Sequence, residues 1–335
     1  VEKSLDSKLK QLKEDPSADV FIIADAKDAD MAFGLAATGP AVDGQHPSLQ
    51  QYRDNIKTVV EQGVVDLVLM SASNNEALAL KDRIFENTAI TPVARANDTT
   101  DIWSAVDSQY NQQPSLPFRS ASLQHIQFGD AVRHDDVFES RTDMGLYSIT
   151  FNNDTELDAW ASEAYKEFRA EAEAQRFRHL LEVFAPNVEG AVPAESVGRY
   201  MNDMIVRTLA GVTEVQRPEF LKIPYTGAKN LEDLVHYDPK MIVGILGGAS
   251  GTTMDAFTLI AKSKEHGARA ALFGRKINNA EDQLLFIDYL RKIVDGDISA
   301  EDAVKAYHAD LSANGIQPTR ELAADLEITE NVLLD

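Results

Sequence analysis

The stretch MIVGILGGASGTTMDAFTLIAKSKEHGARAALFGR, Met241 to Arg275, holds two short apolar runs separated by a glycine turn and an amphipathic helical segment. Strand, crossover helix and strand in that order is the pattern of a parallel pair, because parallel strands need a long connection and are covered on both faces. Working outward, the same alternation recurs. VFIIAD starts at Val20, VVDLVLM at Val64, ITPVARA at Ile90, GLYSITF at Gly145, HLLEVFA at His179 and EFLKIPY at Glu219. Amphipathic segments such as SLQQYRDNIKTVVEQG, DTELDAWASEAYKEFRAEAEAQRF and SVGRYMNDMIVRTLAG lie between them, and EDQLLFIDYLRKIVDG follows the last strand. Six runs plus the two in the opening stretch give eight β units. The pattern predicts a (β/α)₈ barrel, a single domain over residues 1–335.

Two regions depart from strict alternation. Residues from about 112 to 143 form a long polar insertion between the third and fourth strands, read either as a surface excursion or as a lid. The loop DAKDADMAFGLAATGPAVDGQHP after the first strand is long and rich in Gly and Pro. The tail from about residue 317 supplies no strand and is expected to fold against the body or a neighbouring subunit. Trp160, Tyr165 and Phe168 fall at helical spacing and are predicted to be core.

Composition narrows the function. A net charge of -22 and a pI near 4.7 oppose nucleic acid or an anionic membrane surface as partner. The absence of cysteine excludes disulfides, a thiol nucleophile and thiolate metal sites. No apolar run approaches the roughly 18 residues needed to span a bilayer, and the charged N-terminal segment lacks the apolar region of a signal peptide, so a cytoplasmic location is expected. The seven histidines show no HExxH pair, and no metal or other cofactor is expected. GASGT is not a nucleophile elbow and GLAATG is not a Walker A loop.

In a (β/α)₈ barrel the active-site groups come from the C-terminal ends of the strands and the following loops. That rule brings forward Asp25 and Lys27 on strand one, Arg95 on strand three, Glu182 on strand five, Lys222 and Tyr225 on strand six, Gly247, Gly248 and Ser250 after strand seven, and Gly274 and Arg275 after strand eight. A lysine pointed into the mouth of a barrel is desolvated, which lowers its pKa, and cations such as Arg95 or Lys27 push the same way. Its neutral amine attacks carbonyls and forms a Schiff base. The other reading of Lys222 is a barrel plug paired with Glu182. The paired glycine turns of the last two strands, one followed by Arg275, suit an anion such as phosphate.

FLKIPYTG, followed by GILGGASGTTMDAFTLIAKSKEHGARAALFGRKI, resembles the C-terminal half of class I aldolases of the archaeal fructose-bisphosphate aldolase and deoxyribose-phosphate/tagatose-bisphosphate aldolase superfamily. The match is good over about residues 218–285, weaker at VVDLVLM and FIIADAKDA, and poor over 112–143. The resemblance implies Lys222 as the Schiff-base nucleophile, Asp25 as the carboxylate orienting substrate hydroxyls, and Gly247, Gly248, Gly274 and Arg275 as the phosphate site. It also implies a phosphorylated sugar as substrate and a homo-oligomer. One departure concerns the proton donor: where archaeal members carry a tyrosine on strand five, this chain has Phe184, which transfers no proton. Glu182 is similar to the strand-five glutamate of tagatose-bisphosphate aldolases, and Tyr225 is the other candidate donor. Arg119 and the loop histidines His46 and His125 are further candidates for contacts to substrate, Arg119 to a second phosphate. The expectation is a class I aldolase; the alternatives are a lysine-dependent acyl or ketol transferase and a non-catalytic barrel that binds a phosphosugar.

Overall fold

The computed structural model describes residues 1–131, 142–248 and 251–334. The eight apolar runs form parallel strands β1 (Ile22–Lys27), β2 (Leu67–Met70), β3 (Thr91–Arg95), β4 (Met144–Thr150), β5 (Arg178–Phe184), β6 (Leu221–Ile223), β7 (Val243–Leu246) and β8 (Ala270–Phe273). Each pairs with its chain neighbours, and β1 pairs with β8, closing the barrel. The longer helices around it are α1 (Ser4–Glu14), α2 (Leu49–Gln62), α3 (Thr155–Ala174), α4 (Val197–Ala210), α5 (Ala228–Tyr237), α6 (Thr253–Glu265), α7 (Gln283–Asp295) and α8 (Ala300–Ala313). Among the described residues, no helix is long and apolar enough to cross a membrane.

Alternate residues of each strand fill the barrel. Ile22, Ala24, Ala26, Leu67, Leu69, Val93, Leu146, Leu180 and Leu272 share one interior cluster, while Ile23, Val68 and Ile245 belong to the outer cluster under the helices. Helix α1 closes the N-terminal end of the barrel. Its Leu5, Leu9 and Leu12, spaced to share one face, are buried in the interior cluster, each worth roughly 1.5–3 kcal/mol of apolar burial. Lys3 fixes its register by donating to the carbonyls of Phe85, Thr88 and Ile90.

With the plug at one end, the open end is the C-terminal one, where the loops gather. The loop after β3 forms a two-residue antiparallel ladder, Asp98–Thr99 against Pro117–Phe118. The described part of the 112–143 insertion continues through a short helix, Leu123–Phe128, whose Leu123 and Ile126 are buried in the outer cluster. Residues 132–141 of that insertion lie outside the described residues. The C-terminal segment binds back onto the start of α6. Asp255 accepts from Thr329 N, Thr329 Oγ1 and Glu330 N, and Asp325 accepts from Thr253 N. On α3, Ala161, Tyr165, Phe168 and Ala172 form the buried face. Trp160 precedes that face by one residue and is 47% exposed, correcting the expectation that it is core.

Candidate active site

Lys222 sits at the centre of β6, in register with Glu182 on β5 and Gly244 on β7. Its parity is that of Phe220, which belongs to the interior cluster, so its side chain enters the barrel. Lys222 Nζ lies 2.6 Å from Glu182 Oε1, and both side chains are buried. The other carboxylate oxygen, Glu182 Oε2, accepts from Ser148 Oγ at 2.6 Å and from the Arg95 guanidinium at 3.4 Å. Arg95 Nε donates to Asp28 Oδ2 at 2.6 Å, and Arg95 also donates to Ser148 Oγ at 3.1 Å. Asn97 braces the next strand by accepting from Ser148 N and donating to Ser148 O.

Lys222, Arg95, Glu182 and Asp28 thus make a buried cluster of two cations and two carboxylates. Charges this far from water persist only when paired and hydrogen-bonded. Burial works against ionisation of Asp28, but Arg95 and Lys222 hold its carboxyl below the usual carboxylate range. Burial likewise works against the Arg95 cation, and Asp28 and Glu182 more than offset it, leaving its pKa raised. Of the two cations expected beside Lys222, Arg95 shares its cluster while Lys27 does not line the cavity, and the immediate partner of Lys222 is a carboxylate.

The cluster forms part of the wall of a cavity of about 120 Å³, which is also bounded by Ala26, Phe33, Ile102, Phe184, Leu246, Gly247, Gly248, Gly274 and Arg275. Gly248 adopts φ 66°, the left-handed region that turns the chain after β7. A Cβ on Gly274 would lie 2.9 Å from the Ala26 carbonyl, so only glycine lets β8 leave the barrel this close to β1. Arg275 projects from the next position over the Phe33 ring, 4.7 Å from its centroid, and burial lowers its pKa from the ordinary value. Among the described residues it makes no ion pair, so its charge is available to an anion. Lys276 donates to the carbonyls of Gly251 and Thr252 and so ties the turn after β7 to the one after β8. Ser250 lies outside the described residues.

Three expected site residues are not brought to the cavity. Asp25 and Lys27 have the outward parity of Ile23, opposite to Ala24 and Ala26, and line none of its walls. Lys27 Nζ sits 3.4 Å from Asp25 Oδ2 and donates to Gln283 Oε1 and Asn278 Oδ1 in the helix layer. Burial raises the Asp25 carboxyl to about 6 despite Lys27. The inward carboxylate of the first βα segment is Asp28, in phase with the two alanines. Tyr225 is buried in the outer cluster, whereas its neighbour Pro224 faces the mouth. Arg119 pairs with Glu171 at 2.7 Å on the outer surface and lines no cavity at the mouth. His125 bonds Ser122, and His46 bonds the Gly39 carbonyl beside a neighbouring chamber. Sequence reading missed Asp28, Ser148 and Lys276 as site residues. The period-two phase set by Ala24 and Ala26 carried the signal for Asp28.

The barrel matches a known class of folds. A Schiff-base-forming fructose-1,6-bisphosphate aldolase superposes with a TM-score of 0.61 at 14% identity, over 86% of this chain and 99% of that one. A fructose-bisphosphate aldolase from Slackia heliotrinireducens gives a TM-score of 0.65 at 12% identity, over 90% of this chain and 89% of that one. An archaeal fructose 1,6-bisphosphate aldolase gives 0.58 at 13% identity, over 86% and 99%. No protein-family model and no curated protein matches the sequence. The chain therefore has the (β/α)₈ fold of the archaeal-type class I aldolases, and at these identities the likeness is one of fold.

Proposed function

We propose that this chain is a class I aldolase, which reversibly cleaves a phosphorylated sugar through a Schiff base on Lys222. The observation that carries the reading is the Lys222–Glu182 pair, 2.6 Å apart in a cavity that is also lined by Arg275, a cation without an ion pair among the described residues. Glu182 takes the ammonium proton, freeing the amine to add to the substrate carbonyl; loss of water from the carbinolamine gives the iminium. A carboxylate then removes the proton of the hydroxyl flanking the scissile carbon–carbon bond. That bond breaks, its electron pair moves to the iminium to form an enamine, and an aldehyde leaves. Reprotonation of the enamine and hydrolysis release the second product and return Lys222. Glu182 is the general base and acid, Arg95 and Ser148 hold its carboxylate, and Asp28 orients substrate hydroxyls. Arg275 with the Gly248 and Gly274 turns receives the phosphate. A cytoplasmic homo-oligomer belongs to the same reading, as the sequence leads one to expect.

The test is reductive trapping. Borohydride in the presence of a ketose phosphate should leave a secondary amine on the peptide containing Lys222, and Lys222→Arg should lose trapping and turnover together while remaining folded, since guanidinium does not deprotonate. An adduct on Lys27 or Lys229, or turnover retained in Lys222→Arg, would overturn it.

A further inference from the structure

The cavity over Lys222 adjoins a chamber of about 500 Å³, with which it shares Phe33, Ile102, Phe184, Leu246 and Arg275. Its wall is made by Ile102, Trp103, Phe184, Pro224 and Leu246, with the neutral polar Ser104, Ser108 and Asn111 and one carboxylate, Asp101. Trp103 is held edge-on against Tyr110 and Phe118, at 5.0 Å and 4.8 Å between centroids, so this wall is a packed aromatic surface. Asp101 accepts from Ser115 Oγ at 2.7 Å and Thr150 Oγ1 at 3.0 Å, and among the described residues no cation pairs with it. Among the described residues, the cation of this chamber is Arg275, at the boundary it shares with the inner cavity.

From this asymmetry we infer that the site takes a singly phosphorylated ligand whose other end is uncharged, with the phosphate at Arg275 and the far end against the Trp103 wall. A second phosphate in this chamber meets the Asp101 carboxylate and, among the described residues, no second cation to compensate it. Like charges brought together across an interface cost several kcal/mol. The inference takes the phosphate position from the function proposed above and narrows its substrate class, but it does not depend on the lysine chemistry.

The experiment therefore uses ligands without a carbonyl. Hexyl phosphate and hexane-1,6-diyl bisphosphate have the same chain and differ only in the charge of the far end. Calorimetric titration of the full chain should show hexyl phosphate binding at least about tenfold more tightly. Arg275→Ala should weaken both. Ile102→Lys, which places a cation on the apolar wall, should reverse the order. In Trp160→Phe, where Trp103 is the remaining tryptophan, hexyl phosphate should change the emission and inorganic phosphate should not. Equal or tighter binding of the bisphosphate by the unmodified chain, or binding of neither probe, overturns the inference whether or not the lysine variant folds. If the preference holds but borohydride traps nothing on Lys222, the aldolase reading falls and the ligand assignment stands.

Discussion

Replacing Glu182 with glutamine tests the centre of the site with almost no change of shape. In the native cluster two cations, Lys222 and Arg95, face two carboxylates, Glu182 and Asp28, so the buried charge sums to zero. Glutamine removes one negative charge and leaves Lys222 without the partner 2.6 Å away. Leaving one member of a buried pair uncompensated costs about 3–5 kcal/mol. With an unfolding entropy of about 2.1 cal/mol/K per residue, the 335-residue chain loses roughly 4–7 °C of Tm. The double variant Lys222→Met/Glu182→Gln should regain part of that loss, because the stranded ammonium is gone. In activity, Glu182→Gln should form the trapped imine more slowly and turn over at least about a hundredfold more slowly, since a carboxamide accepts no proton. Tm is read by calorimetry, the imine by intact mass after borohydride, and turnover by aldehyde release. Unchanged turnover would remove Glu182 from the proton path. A Tm within about 1 °C of wild type would refute the reasoning that the cluster is held by charge balance.

Arg275→Ala should weaken a phosphorylated ligand by about 1.5–3 kcal/mol relative to its dephosphorylated analogue, the range for a lost charge-assisted hydrogen bond; equal weakening of both places Arg275 outside the phosphate site. Asp25 should give an inverted pH signature. Its folded pKa of about 6 lies above the unfolded value of about 3.9, so the folded state holds the proton more tightly and stability falls as pH rises from about 4 to 6. At about 1.36 kcal/mol per unit, that decline is roughly 3 kcal/mol and should be missing from Asp25→Asn in pH-dependent denaturation; a matching slope in the variant would assign it to other groups. Asp255→Ala removes the acceptor of Thr329 and Glu330 and should free the C-terminal segment, with cleavage by a nonspecific protease shifting to residues 317–334 and a loss of about 2–4 kcal/mol of stability. An unaltered digestion pattern would show that the segment is held elsewhere.

The barrel was legible because each strand declares itself by a short apolar run and each crossover by helical periodicity, signals that need only neighbours in the chain. Lys222 and Glu182 were legible for a related reason: barrel topology puts the ends of successive strands together, so two residues at the tops of β5 and β6 must be close. Strand order, however, does not tell which parity faces inward. In IIADAK both parities begin with isoleucine, and the polar Asp25 and Lys27 look like site residues until Ala24 and Ala26 are seen to fill the narrow interior. That phase is decided by the volume available where eight strands converge, and it brings Asp28 rather than Asp25 to the cavity. Arg119 went to Glu171 and Tyr225 to the helix layer for the same kind of reason, each finding a partner or a packing surface distant in sequence. The sequence by itself determined the alternating elements, the lysine on the sixth strand and the glycine turns. Tertiary structure decided which charges were taken out of water together, because pairing in a low-dielectric interior depends on distances of a few ångströms that no local pattern encodes.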